Sequence, residues 1–528
     1  MTSRTTRRQF LGLTAGATAG LAGLSATRFF GDGAASLGGA SSAGASQAQL
    51  TAALSAAGPA AAIAPATQST TEVNHFFSRP DLHPPRVTAV RAASSFTVGG
   101  SSGRFLLVTP NRSPGAEAGG QSGLMILDGD ARMRWFLPTE NAPFDLQCQS
   151  YKGKQVFTWW QGDVTNGTGA GEAFLADMSF NQIAQLAEGG GLTPDLHELA
   201  LTTEGTALMT SYHSQAADLS TVGGPKNGYA LASTAMEVDV ATGKLLWSWE
   251  SLDHVPVSAT YQKFSGGTKQ QPFDYFHINS IAVAPDGDLL ISSRNTWCIY
   301  KVSRTSGEVV WRLNGKNSDF TMGEGTHFYW QHHARPHGTG VLSVFDDGAA
   351  PAEETESRGL VLNLDETAMT CGLERSASHP GVLAVAEGSV QLLNDGGMLV
   401  GFGAEPYFSR FSAKGELLVD GHFPKDVTSY RAFVADFATV PTDKPAVAVG
   451  PAANGGQIVY VSWNGATEVV AWRVFAGATS SALSAAATAE WAEFETALTV
   501  SNAGPYFQVA ALDNSGRELG RSETVQVS

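Results

Sequence analysis

The chain has 528 residues, 43% of them hydrophobic and 59 of them glycine, so it carries enough apolar mass for a packed interior and enough glycine for many tight turns. Its formal charge of −16 excludes a surface that gains affinity by releasing counterions from phosphates, and no nucleic-acid partner is expected. The three cysteines, Cys148, Cys298 and Cys371, are scattered and odd in number, which excludes a disulfide framework and a cysteine-based zinc site but leaves one bridge open.

Taken in chain order, the first segment has paired arginines, Arg7 and Arg8, then Phe10 and Leu11, then a weakly apolar run of Ala, Gly and Leu. This pattern predicts a twin-arginine export signal over residues 1–30 and a secreted or cell-surface location. The run is too short and too poor in large side chains for a membrane span. Residues 31–72 are rich in Ala, Gly and Ser and read as a disordered linker, because they lack the large apolar groups that offset chain entropy.

Beyond that point short runs of Val, Ile, Leu, Phe and Trp alternate with Asp-Gly, Glu-Gly and Thr-Gly turns, the mark of β-hairpins. Hairpins such as "ILDGDARMRWF" (126–136), "EVDVATGKLLWSW" (237–249) and "KVSRTSGEVVWRL" (301–313) resemble one another, and similar partners precede most of them. Two hairpins in succession make a four-stranded sheet that cannot bury both faces alone, so stacking copies around an axis is the stable solution. Candidate units fall at 104–137, 145–188, 195–250, 276–314, 331–375 and 389–424. The expectation is an all-β protein: a six-bladed β-propeller over 73–440, followed by a small C-terminal β-sandwich of fibronectin type III kind over 441–528.

In a propeller the innermost strand of each blade runs along the central channel. Near the starts of the predicted blades stand Asp145 and Gln147, Asp195 and His197, His277 and Asn279, then Gln331, His332 and His333, then Gln391. One strand histidine alone is more often bonded to a backbone carbonyl, but three at matching blade positions point to a shared site. Arg294 adds a guanidinium whose five donors suit a tetrahedral oxyanion such as a sulfate or phosphate group. His213, His254, His327 and His337 read as loop or rim residues. The same imidazoles with Asp195 or Glu198 would also suit a transition metal, yet no His-x-x-x-His spacing is present, so no metal and no cofactor are assigned. Neither a nucleophile elbow nor a glycine-rich phosphate loop occurs.

The stretches "DLHEL", "SLDHVP", "DYFHINSI", "SSRNTW", "GKNSDFTMGEG", "WQHHAR" and "GAEPYFSRF" together resemble the arylsulfotransferase family, particularly its exported actinobacterial-type members, from about residue 75 to the C-terminus. The resemblance implies a six-bladed propeller that moves a sulfuryl group from an aryl sulfate donor to a phenolic acceptor, without a nucleotide sulfate donor, through a transiently sulfated histidine. By the Gln-His motif it places the nucleophile on His332, with His333 as its competitor. It matches the His-x-Asn motif to His277 and Asn279, the following-strand arginine to Arg294 and the earlier blade's histidine to His197. The C-terminal domain is an expected contact for cell-surface glycan. Two other functions fit the same fold: a non-catalytic extracellular propeller that binds glycan or protein, and a polysaccharide-active lyase or hydrolase using the same His and Arg cluster.

Overall fold

A computed structural model describes residues 63–64, 68–69 and 72–527, except 95, 114–115, 117–118, 454 and 502–503. The predicted export signal, 1–30, lies outside the described residues, as does most of the predicted linker. Among the described residues no helix is long and apolar enough to cross a membrane. The chain is all-β, built from many small antiparallel sheets.

Six sheets follow one another along the sequence, and each after the first is built on four consecutive strands, the fifth also taking up Thr321–Met322 and the sixth a strand from before the first sheet. The second sheet runs through Ala142–Tyr151, Lys154–Thr165, Thr168–Ala176 and Gln182–Leu186. The third runs through Leu199–Leu201, Thr206–Ala217, Gly228–Asp239 and Leu245–Glu250. The fourth comprises Ile278–Val283, Leu289–Ser293, Cys298–Val302 and Val309–Leu313. The Asp286-Gly287 turn between its first two strands needs glycine, because Gly287 sits at φ 93°.

His332–Pro336, Val341–Asp346, Arg358–Asp365 and Thr370–Ser378 form the fifth sheet. Ser389–Leu392, Met398–Gly401, Tyr407–Phe411 and Leu417–His422 form the sixth. The first sheet breaks the sequential rule: Phe105–Val108, Gly123–Asp128 and Met133–Pro138 are completed by Ala432–Ala435, a strand that comes after all the others. Thr88–Arg91, from before the first sheet, extends the sixth. These exchanges tie the two ends of the series together.

Packing follows the two-residue period of a strand. Leu106 and Val108 join a buried cluster with Leu399, Phe408 and Val419 of the sixth sheet, while Phe105 and Leu107 join one with Leu146, Phe157 and Trp159 of the second. Comparable clusters join the second sheet to the third, the third to the fourth, the fourth to the fifth and the fifth to the sixth. Each sheet is therefore buried on both faces by its neighbours, and the sixth returns to the first.

The remaining described strands form two short pairs, Gln68–Ser69 with Asn74–His75 and Asn111–Arg112 with Val427–Thr428, and two larger sheets, one of Ile63–Ala64, Thr496–Val500, Gln457–Ser462 and Ala446–Pro451, the other around Ala471–Thr479 and Tyr506–Leu512. One apolar cluster containing Val461, Trp463, Trp472, Leu498 and Val509 draws on both. The guanidinium of Arg134, on the first sheet, lies 3.3 Å from the centroid of the Trp491 ring. One detail departs from the sequence reading: residues 63–64, within the predicted linker, pair with Thr496–Val500. The Ala-rich stretch Ala482–Glu490 is a strand. Ala-rich sequence has helix propensity, but pairing with Ala471–Thr479 overrides it.

The contact between the sixth and first sheets predicts that Leu106→Ala, which opens a cavity at a fully buried site, lowers stability by about 2–5 kcal/mol in urea unfolding. An unchanged unfolding midpoint would show that this contact does not hold the ends together.

Candidate active site

His197 and His277 each precede the first strand of their sheet, and their side chains meet although 80 residues separate them: Nε2 of one lies 3.1 Å from Nε2 of the other, with the rings edge to face. His197 is 1% exposed and His277 9%. Behind each ring stands a carboxylate. Nδ1 of His197 bonds Asp195, and Nδ1 of His277 lies 2.6 Å from Asp274 Oδ2.

Hydrogen-bond counting fixes the roles around Asp195. Its oxygens also accept from the backbone N–H of His197, the Thr210 hydroxyl and the backbone N–H of Gly169. A carboxylate that receives three such donors is ionised, so Nδ1 of His197 donates to it. The Nε2 of His197 is then a lone pair, and it faces the Nε2 of His277 across a distance that requires a proton between them. Burial holds the His197 imidazole below its usual range, with Asp195 opposing the shift. The shared proton accordingly belongs to the His277 side, next to Asp274.

His332 opens the first strand of the fifth sheet and is 1% exposed. Burial pushes its basicity well below the ordinary imidazole range, and the charge of Arg294 lowers it further. His332 is thus neutral and stands among the other three. Its Nδ1 lies 2.8 Å from Asp347 Oδ2, and the backbone N–H of Glu387 approaches the same nitrogen at 3.1 Å. That N–H donates to Nδ1, and a nitrogen that accepts it holds no proton of its own, so the proton between Nδ1 and Asp347 stands on the carboxyl. Burial raises the Asp347 carboxyl and the Arg294 charge pulls it back.

Arg294 follows the second strand of the fourth sheet. It donates to the Asn295 side chain at 3.2 Å and to the Val385 carbonyl at 2.9 Å, and its guanidinium lies 4.9 Å from the Trp330 ring centroid. Burial lowers its pKa while Asp347, Asp274 and Glu387 oppose the shift.

His333 faces elsewhere. Its Nδ1 accepts the Val390 N–H at 3.2 Å, its ring tilts against Phe433, and burial followed by Arg431 and Arg335 holds it well below the ordinary range. Asn279 does not reach the imidazoles through its amide, which donates to the Gln331 carbonyl at 2.6 Å and so fixes the residue before His332. Gln331 in turn bonds Ser292, Ser293 and Cys298. Asp145, Gln147 and Glu198 belong to a separate buried charged group with Arg335 and Arg431: Glu198 pairs with Arg335, and Gln147 donates to Asp145 at 2.7 Å. Gln391 bridges to Val434 on the closing strand.

The other histidines stand apart. His213 and His327 are exposed, His254 stacks on Trp249, and His337 bonds Ser343 at 2.7 Å with its pKa lowered by burial to about 4. All three cysteines are unbridged. Among the described residues no group of three or more His, Cys, Asp or Glu side chains is arranged to hold a metal ion. A cleft of about 600 Å³ between the fourth and fifth sheets, lined by Lys301, Trp311 and Glu366, shares no residue with the histidine group.

Sequence reasoning missed Asp274, Asp347, Tyr212, Glu387, Tyr430 and Arg431. Asp274 was signalled by its place three residues before His277. In "TSYH" it is Tyr212, not His213, that reaches the site, with its ring centroid 5.4 Å from that of His197 and its hydroxyl bonded to the Ile278 carbonyl. Tyr430 and Arg431 come after the last predicted blade, and only the closing strand returns them to His332.

Four groups brought together beside carboxylic side chains, three of them imidazoles and one a guanidinium, define a site for chemistry on an anion. A family model described as Arylsulfotransferase (ASST) matches residues 147–423, which holds every one of these four groups. The chain belongs to the arylsulfotransferase family. No curated protein sequence matches it. Similar solved structures include a protein of unknown function from Bacteroides caccae, 13% identical, with a TM-score of 0.38, covering 63% of this chain and 98% of that one. A protein from Lactobacillus plantarum is 14% identical over 76% of this chain and 98% of its own, with a TM-score of 0.33. A catalytically inactive virginiamycin B lyase from Staphylococcus aureus with quinupristin is 9% identical over 72% and 96%, with a TM-score of 0.32. At these scores the likenesses assign no chemistry.

The depressed histidines set a pH dependence. His197, His332 and His333 bind protons more weakly folded than unfolded, so below the unfolded value of about 6.5 the unfolded chain takes up more protons. Their contribution to stability is present above that pH and is lost as pH falls through the lowered folded values. Urea unfolding at pH 7 and pH 5 should show a lower midpoint at pH 5 that His333→Phe partly restores; equal midpoints would mean that the three rings are not held neutral.

Proposed function

We propose that this chain is an exported aryl sulfate sulfotransferase that works through a sulfohistidine at His332, with its six sheets arranged as a β-propeller over 73–440 and the two C-terminal sheets packed as a β-sandwich over 441–528. The twin-arginine pattern supports export. The cyclic series of inter-sheet clusters supports the propeller. The observation that carries the chemistry is the neutral, acid-backed His332 beside a half-buried Arg294 and a proton-sharing pair of histidines.

In the first half-reaction His332 acts in the form with Asp347 ionised and its own proton on Nδ1; its Nε2 lone pair attacks the sulfur of an aryl sulfate, and the S–O bond to the ring breaks with both electrons leaving on the phenolate. The proton shared by His277 and His197 passes to that oxygen. Arg294 stabilises negative charge on the sulfuryl oxygens, and the Asp347 carboxylate balances the charge on the sulfated imidazole. In the second half an acceptor phenol gives its proton back to the histidine pair, its oxygen attacks the same sulfur, and the N–S bond electrons return to Nε2. No nucleotide enters. The donor is an aryl sulfate and the acceptor a phenol.

Incubation with 4-nitrophenyl sulfate should leave one sulfuryl group on the tryptic peptide that contains Gln331 and His332, and His332→Ala should lose both this adduct and transfer to phenol. An adduct on a peptide without His332, or full turnover in the variant, would sink the assignment. Asp347→Asn, which cannot hold the required tautomer, should lower turnover by about 10²- to 10⁴-fold with the fold intact. Unchanged turnover would remove Asp347 from the mechanism.

A further inference from the structure

Beside Arg294 the chain builds an aromatic group that the transfer chemistry above does not use. Tyr261 and Trp297 stack with ring centroids 3.6 Å apart and planes 10° from parallel. Trp297 meets Tyr329 edge to face at 5.0 Å and Trp330 at 5.1 Å, and Trp330 is the ring beside the Arg294 guanidinium. The amine of Lys316 lies 4.9 Å from the Tyr261 ring centroid, on an exposed side chain.

These rings stand at the same end of the sheets as the histidines. Arg294 and Trp297 occupy the turn between the second and third strands of the fourth sheet, closed by a bond from the Trp297 N–H to the Arg294 carbonyl. Tyr329 and Trp330 lead directly into Gln331 and His332. Tyr261 is tied to the same turn through its N–H and the Asn295 carbonyl.

Two features separate this group from ordinary core packing. Tyr261, Trp297 and Tyr329 are only half-buried, although a core would enclose rings of this size. Trp297 and Trp330 also hold φ of 52° and 58°, a left-handed conformation that bulky residues rarely adopt and that costs on the order of 1–3 kcal/mol each. Such strain persists where it aims a side chain for a purpose, and here it sets the Trp330 indole beside Arg294 and the Trp297 indole against Trp330, Tyr261 and Tyr329. The Lys316 ammonium donates to the Ser258 and Thr260 carbonyls and is not free for a ligand, but aromatic rings and a nearby guanidinium together recognise a planar aromatic carrying negative charge or a polar oxygen.

We propose that Tyr261, Trp297 and Tyr329 form an aryl subsite beside Arg294 that selects two-ring and larger planar phenols over single-ring phenols. The chemical basis is area: a second fused ring reaches past the sulfuryl site onto the aromatic group, where burial and ring stacking add to binding. The assignment of this ligand as the acceptor rests on the sulfuryl-transfer reading, whereas the binding preference does not.

Titration calorimetry on the full chain with 2-naphthol and with phenol separates the two ideas. The wild type should bind 2-naphthol about tenfold tighter, the equivalent of about 1.4 kcal/mol. Tyr261→Leu with Tyr329→Leu should erase that ratio, and the matched Tyr261→Phe with Tyr329→Phe should keep it, which distinguishes lost ring area from lost fold. Equal binding of the two phenols by the wild type, or a ratio that survives in the leucine variant, overturns the subsite. If 2-naphthol binds as expected but neither phenol is sulfated from 4-nitrophenyl sulfate, the subsite stands and the transfer reading falls.

Discussion

The contact between His197 Nε2 and His277 Nε2 is the point on which the site depends. It joins residues from two sheets, and it exists only because each ring is held from behind by a carboxylate. Remove either acid and the ring loses its tautomer; remove the packing of the third sheet on the fourth and the two nitrogens separate. The burial that makes these bonds strong also keeps His332 neutral, so one environment holds a shared proton and an uncharged imidazole side by side.

Charge elsewhere in the interior serves the same arrangement. Glu198, the residue after His197, accepts from Arg335 and from the Ile281 N–H, while Arg431 on the closing segment donates to the Asn279 carbonyl at 3.1 Å. These bonds connect the third, fourth and fifth sheets and the returning chain within one buried group. A buried ion pair adds little net stability against an apolar substitute, but it is specific about which strand meets which. Backbone strain follows the same geography. His277, His333, Asp145 and Glu387 all sit at positive φ near the start of a sheet, where a regular strand would point their side chains away.

The sequence made the repetition legible because hairpin turns and alternating apolar residues have a fixed period, and His197, His277 and His332 were legible because they recur at blade starts. The swap that closes the series was not. Thr88–Arg91 and Ala432–Ala435 are short and carry no turn of their own, so nothing local says that one pairs with the sixth sheet and the other with the first. Tyr430 and Arg431 were lost with that strand. The choice between His332 and His333 was left open by sequence, since adjacent strand residues point to opposite faces and sequence does not say which face is the site. In the structure His332 shares its surroundings with Arg294, His277 and His197, and His333 does not. Asn279, matched through the His-x-Asn motif, uses its amide on the Gln331 carbonyl, a contact that no local sequence pattern announces.

Neutron diffraction on a deuterium-exchanged crystal reports the positions of the decisive protons without any assumption about substrate. The account predicts a deuteron on Nδ1 of both His197 and His277, and one more between their Nε2 atoms. A bare Nδ1 on either ring, or no density between the two Nε2 atoms, would contradict it.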